Sequence, residues 1–286
     1  MSGLISTSGD RLRQSDFRRL AAFIQDYSGI KMPPAKITML ESRLRHRVRD
    51  TGATSLADYC HTLFERDGMR TEAVHLIDAV TTNKTDFFRE PDHFQILTQQ
   101  VLPALVADRR GADLAQVKLW SSASSTGAEA YTIAMVMAEW REHHRGTRVV
   151  ILGTDLSTEV LEVARRAIYP ETMISPVPPE LRQRYLLRSR DPSRRLVRVV
   201  PELRAWARFE RLNLVDPDYQ VDRDFDVIFC RNVLIYFDKP TQRDVLRRLC
   251  EHLRPGGFLF LGHSESLAGM ELPLRSVANT VLRKPR

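Results

Sequence analysis

Apolar residues recur at helical spacing through the first eighty positions, and short apolar runs then alternate with helical stretches. In DFRRLAAFIQDYSG, Phe17, Leu20, Ala21, Ile24 and Tyr27 share one stripe, with Ser15 as the expected N-cap and Gly29 as the stop. After Pro33 and Pro34, a second helix carries Ile37, Leu40, Leu44 and Val48 and ends before Gly52. SLADYCHTLFERDG presents Leu56, Tyr59, Cys60, Leu63 and Phe64 on one face, and RTEAVHLIDAV supplies a fourth helix. Residues 1–80 therefore predict a small all-helical domain.

Beyond a connecting segment at 81–95, HFQILTQQVLPALVADRR reads as a helix. Strands are then expected at 117–123, 148–154, 207–212, 225–230 and 257–262, with helices at 128–142, 157–168 and 240–253. This alternation predicts an α/β fold with a doubly wound, Rossmann-like sheet over 96–286. The alternation of Leu196, Arg198 and Val200 suggests a β-hairpin inserted at about 190–206. There is no internal repeat and no low-complexity tract.

With 286 residues, of which 43% are hydrophobic, the chain is long enough for one large core and a smaller domain. No apolar run reaches the roughly 18–20 residues that span a bilayer, and the start MSGLISTSGDRLRQ lacks a signal core. A cytoplasmic protein is expected. Cys60, Cys230 and Cys250 show neither pairing nor Cys/His clustering, so they read as buried thiols and no metal site is expected. The net charge of +7 implies an acidic partner, which could be nucleic acid, an anionic membrane surface or a carboxylate-rich protein.

The most informative stretch is VKLWSSASSTGAEAYTIA at 117–134, an apolar strand entering a Ser/Gly turn and then a helix. The next strand, RVVILGTD, ends in Asp155. In a parallel βαβ unit, an acid there can accept both ribose hydroxyls of an adenosine cofactor. Only Gly127 stands in the turn, without the spaced glycines that admit a pyrophosphate, and Glu129 would repel phosphate at a helix start. Those features favour the cationic S-adenosylmethionine over NAD or ATP.

Four segments extend this reading along nearly the whole chain: VTTNKTDFFREPDHF (80–94), WSSASSTGAEAYTIA, FDVIFCRNVLIYFDKPTQ (225–242) and LRPGGFLFLGHSES (253–266). Together and in this order they resemble the chemotaxis receptor methyltransferase family (CheR), which transfers methyl from S-adenosylmethionine to glutamate side chains of chemoreceptors. Members usually carry a second acid and a proline after the motif glycine, where this chain has Ala128 and Ala130. Some relatives grip a tethering peptide with the inserted hairpin. Its loop here, RDPSRRLVRV, carries Arg where they carry Gly, so direct docking on the receptor's helical bundle is the expected mode.

The resemblance implies roles for individual residues. Asn83, Thr85 and Arg89 would lie over the cofactor, with Arg89 pairing the methionine carboxylate, although NKTDFFRE also reads as a capped helix start. Glu129 would take the ribose or amino-acid part. Asp155 would take the ribose, its alternative being a cap for LSTEVLEVAR. Asn213 and Leu214 would bind adenine, although an Asn before Asp216-Pro217 is also a turn former. Arg231 and Asn232 would face the crevice from a strand end. Tyr236 would orient the incoming carboxylate or the methyl group, the alternative being a core aromatic in VLIYF. Arg43, Arg45, Arg47 and Arg49, flanking the stripe of the second helix, would steer towards the acidic receptor bundle, or form an ordinary solvated face.

Methyl transfer from a sulfonium to a carboxylate annihilates charge, so alignment and limited hydration matter most. A glutamate is already ionised at neutral pH, and the reaction needs neither a general base nor a metal. Two rival functions are weighed. A nucleic-acid methyltransferase is suggested by the positive charge and by Asp216-Pro217-Asp218-Tyr219, which faintly resembles a DPPY motif but precedes the strand that should lead it. A cofactor-binding adaptor without transfer is suggested by Ala128 and Ala130. Neither nucleic acid nor membrane insertion is expected to be part of the function, and a monomer is the simplest state.

Overall fold

The computed structural model describes residues 10–108, 115–265 and 269–286. Most of the start read for a signal (1–9), Arg109 and Arg110 of the predicted helix, and Ser266 of the last motif lie outside the described residues. Two compact units divide at Thr82 and Asn83.

The first unit holds helices α1 (Gln14–Ser28), α2 (Ile37–Thr51), α3 (Leu56–Glu65) and α4 (Met69–Val80). Phe17, Leu20 and Ile24 are buried on α1, Leu40 and Leu44 on α2, and Leu76 and Ile77 on α4, as their spacing predicts. Gly29 and Gly52 end α1 and α2 at φ 72°, the left-handed cap that glycine adopts without strain. Ser55 caps α3 by accepting the Asp58 N–H. Ser15 is not the N-cap of α1: the helix begins at Gln14, with Arg13 in the cap position, so Ser15 sits within the first turn.

The second unit contains α5 (Asp92–Ile96), a π-helical turn (Leu97–Val101) and α6 (Leu102–Asp108), so the single helix expected there is interrupted. Next come β1 (Gln116–Ser122), α7 (Ala128–Glu142), β2 (Arg148–Asp155), α8 (Thr158–Arg166) and β3 (Ile168–Pro170). They are followed by α9 (Pro179–Tyr185), β4 (Leu186–Arg188), β5 (Leu196–Val199), α10 (Pro201–Arg204) and β6 (Ala207–Arg211). The chain closes through β7 (Phe225–Cys230), α11 (Lys239–His252), β8 (Leu253–Leu261), β9 (Arg275–Ala278) and β10 (Val281–Arg283).

The main sheet has the order β6-β2-β1-β7-β8-β10-β9. Strands β6 to β8 are parallel, and β10 and β9 add antiparallel at one edge. Strand β7 is buried at every position, the continuous apolar run expected of a central parallel strand. From β1 the chain reaches β2 on one side and β7 on the other, so the sheet's switch point lies at the carboxyl end of β1. Trp120 is fully buried in that strand, its indole donating to Thr154 Oγ1 at 2.9 Å.

The inserted element differs from the expected hairpin. It is a three-stranded antiparallel sheet in the order β3-β5-β4, and residues 201–204 are helical, with Pro201 at the first helical position. Val197 and Val199 are the inward residues of β5 and Leu196 and Arg198 its outward ones, while Val200 lies beyond the strand and packs against the core.

Candidate active site

The turn after β1 is built for close packing. Ala123 and Ser125 adopt φ 62° and 50°, and Gly127 adopts φ 85° at the N-cap of α7. A Cβ on Gly127 would meet the Ala164 Cβ at 2.9 Å, which explains why this position of the motif is glycine. Ser125 joins three segments: its N–H donates to Asp155 Oδ2 at 2.8 Å, and its hydroxyl donates to the Asn83 carbonyl at 2.7 Å. Asp155, at the end of β2 and 7% exposed, also accepts the Ser157 N–H at 3.0 Å. Ser157 rather than Asp155 occupies the cap position of α8. The Leu212 N–H donates to the Asp155 carbonyl at 2.9 Å and brings the end of β6, with Asn213 and Leu214, beside it. Asn213 does form a turn, accepting the Val215 N–H at 3.3 Å, while both residues are largely buried.

An ionic cluster lies at the end of β7. Arg231, with its side chain 2% exposed, donates to Glu129 Oε2 and to Glu90 Oε2, each at 2.9 Å, and to the Arg89 carbonyl. Glu129 also accepts the Ser121 hydroxyl at 2.7 Å. This corrects the reading of Arg231 as a crevice-facing ligand: its guanidinium is enclosed by carboxylates and positions them. Asn232, at φ 60°, donates its amide to Glu90 Oε1 at 3.1 Å. Burial opposes ionisation of Glu90, but the Asn232 amide and Arg231 outweigh it and hold its pKa below the ordinary value. Burial, aided by Arg231, pushes the His93 imidazole down to about 4.

In GHSES, His263 and Glu265 could suggest acid–base work, but a loop closing the sheet is the simpler reading of the sequence, and Glu265 does tie that loop down. Its carboxylate accepts the N–H groups of Asn232 (3.0 Å), Val233 (2.9 Å), Leu234 (2.7 Å) and Gly262 (2.6 Å). Burial raises its pKa against the pull of these four donors. The backbone so held leads into the turn Leu234–Tyr236, where Tyr236 is half-buried and Ile235 is exposed. Glu90 is the residue sequence reasoning missed, its only signal being a lone acid in a loop beside Pro91.

Thr85 and Arg89 are half-buried on the segment between Asn83 and α5, and Arg89 donates to the Lys84 carbonyl at 3.3 Å. Phe87 in the same segment is fully buried, edge-on to Tyr169 at 5.0 Å. Tyr219, the last residue of the DPPY-like tetrapeptide, is a core residue against Trp120 whose hydroxyl donates to the Leu214 carbonyl at 2.7 Å.

The four arginines of α2 are all in the first unit. Arg43 donates to the carbonyls of Val80 and Thr81 and to Thr82 Oγ1, and Arg45 to the Asp10 carbonyl. Arg47 grips Glu72 with two bonds of 2.7 and 2.9 Å, and the Tyr59 hydroxyl donates to the same carboxylate at 3.0 Å. Arg49 is exposed. Of the four arginines expected to face the receptor, three also hold the helical unit together, because carbonyls and a buried acid lie within their reach.

Donor chemistry at the switch point suits S-adenosylmethionine. Asp155 and Glu129 are acceptors for hydroxyl and ammonium groups, and both would repel a diphosphate. A sheet in this order, with an acid ending β2 and no glycine-rich phosphate turn after β1, defines a class: the S-adenosylmethionine-dependent methyltransferases. Family models agree over both units, with "CheR methyltransferase, SAM binding domain" matching residues 83–282 and "CheR methyltransferase, all-alpha domain" matching 15–81. The chemotaxis protein methyltransferase of Escherichia coli K12 is 39% identical over 272 residues, covering 94% of this chain and 91% of that protein. Its counterpart from Klebsiella aerogenes is 40% identical, with 92% and 88% covered, and that from Borreliella burgdorferi is 34% identical, with 90% of each covered. The chain belongs to the CheR methyltransferase family. Among the described residues, no helix is long and apolar enough to cross a membrane.

Proposed function

We propose that this protein is a protein-glutamate O-methyltransferase of the cytoplasm, esterifying glutamate side chains on the helical bundle of chemoreceptors. The carrying observation is the half-buried Tyr236, on a turn after β7 whose preceding backbone is held by Glu265. Such a site suits an acceptor that needs positioning and no deprotonation, which a glutamate side chain is at neutral pH. The chemoreceptor as substrate is supported by the relatives' name, chemotaxis protein methyltransferase.

S-adenosylmethionine supplies an electrophilic methyl group on a sulfonium. Asp155 would hold the ribose, Asn213 and Leu214 the adenine, Glu129 the ammonium, and Arg89 the carboxylate of the methionine part, with Asn83 and Thr85 on the covering segment. Arg231 and Asn232 fix Glu129 and Glu90 so that these acids need not reorganise during reaction. Tyr236 donates its hydroxyl to the incoming carboxylate and orients it. Ile235, 46% exposed beside it, offers an apolar contact to the helix that presents the glutamate.

Incubation with methyl-labelled cofactor and receptor-containing membranes tests the reading. Label entering the receptor and leaving as methanol in mild base is the expected result, because carboxyl esters hydrolyse there. Label stable to base, or cofactor binding without any transfer, contradicts it.

A further inference from the structure

Three side chains converge in the second unit without a cysteine among them: Glu90, His93 on α5 and His263 after β8. Each offers one ligand atom, and these atoms lie within 4.8 Å of one another. His93 is fully buried. Its Nε2 lies 2.9 Å from Thr280 Oγ1, and the Thr280 hydroxyl itself donates to the Asn279 carbonyl at 2.8 Å. Thr280 therefore accepts from His93, Nε2 carries the proton, and Nδ1 is left with its lone pair. That Nδ1 has no hydrogen-bond partner and stands 3.5 Å from Glu90 Oε2. Two acceptors facing each other in a buried place repel unless a cation lies between them.

His263 is held in the same manner. Its Nε2 lies 3.0 Å from Asp92 Oδ2, which leaves Nδ1 as the available donor of a lone pair. The two imidazoles meet edge-on, with centroids 4.9 Å apart. One ring nitrogen fixed by an oxygen and the other turned inward is the arrangement that orients histidines for a metal. The charged groups beside His93 are the carboxylates of Glu90 and Asp92 and the guanidinium of Arg231, so one negative charge is left over for a cation to meet.

We propose that Glu90, His93 and His263 form a site for a zinc-like divalent transition-metal ion, which shares Glu90 with the ionic cluster at the end of β7. Two imidazoles and a carboxylate are a zinc donor set, and bonds of about 2.0–2.2 Å place tetrahedral ligands roughly 3.3–3.6 Å apart. The His93–Glu90 edge already has this length, and all three ligand atoms lie within 4.8 Å of one another. Because Glu90 Oε2 also accepts from Arg231, the ion and the guanidinium compete for one oxygen.

The test uses the tag-free full-length protein, titrated with zinc against a chromophoric chelator and with cobalt(II) as the spectroscopic probe. One equivalent should bind, with cobalt giving visible ligand-field bands, and His263→Gln and Glu90→Gln should each weaken binding by roughly tenfold or more. His144→Gln, at a ring stacked on Trp140, should change nothing. His263 carries the decision because its side chain is 41% exposed, so that variant keeps the fold. Absence of binding at about 100 μM free ion, or affinity unaltered by His263→Gln, overturns the proposal.

Discussion

Glu265 and Leu234 are 31 residues apart, and Oε1 of the first accepts the backbone N–H of the second at 2.7 Å. Val233, Asn232 and Gly262 donate to the same carboxylate, so one acid joins the loop after β8 to the loop after β7. Glutamine in its place offers one oxygen and an unwanted pair of donors. Glu265→Gln should lower stability by about 1.5–3 kcal/mol, the scale of charge-assisted hydrogen bonds, and reduce turnover at least as much as cofactor affinity. Urea denaturation with parallel calorimetry reads both, and an unchanged midpoint would refute the bolt.

Tyr236→Phe removes one hydroxyl from the held turn and leaves the ring. Turnover should fall by about tenfold, the scale of one lost hydrogen bond in the transition state, while cofactor affinity stays within about twofold. Equal turnover would remove Tyr236 from the reaction.

Asp155→Asn keeps one oxygen for the Ser125 or Ser157 N–H and loses the charge. Cofactor affinity should drop by about tenfold, equivalent to ~1.4 kcal/mol, with the unfolding midpoint little changed. Calorimetric titration with S-adenosylhomocysteine decides, and native affinity would take the ribose away from this side chain.

The helical unit separates structure from docking within one helix. Arg47→Ala strands Glu72, which is 10% exposed at its side chain, and should cost about 3–5 kcal/mol of stability. Arg49→Glu, at an exposed position, should leave stability within about 0.5 kcal/mol and raise the KM for receptor if the basic helix steers docking. An unchanged KM would leave α2 without a docking role.

Burial pushes the Cys60 thiol up to about 12 and Cys250 up to about 11, and holds Cys230 well above the ordinary value. At pH 8 only about one thiol in a thousand at Cys250 is ionised. The native protein should therefore resist disulfide exchange with a thiol reagent and release three equivalents on unfolding. Fast labelling of the folded protein would contradict this burial.

Helices α1 to α4 and the long strands were legible because their apolar periodicity reports burial directly. Gly127 and Asp155 were legible because a strand end followed by a turn is a local signal. What escaped was pairing across distance: Glu90 meets Arg231 from 141 positions away, and no periodicity records it. The arginines of α2 show the same limit. Their alternation with apolar residues looks solvated, and only tertiary packing brings Glu72 and the carbonyls after Val80 beneath them. Strands β3 and β4 have three residues each, too short to carry an alternating pattern, which is why a three-stranded insert read as a hairpin.

The account depends most on where the methyl donor sits. A crystal structure with S-adenosylhomocysteine tests it directly: the ribose hydroxyls should lie within hydrogen-bond distance of the Asp155 carboxylate, with adenine against Asn213 and Leu214. The product seated elsewhere on the sheet, or Asp155 without a ribose contact, would contradict it.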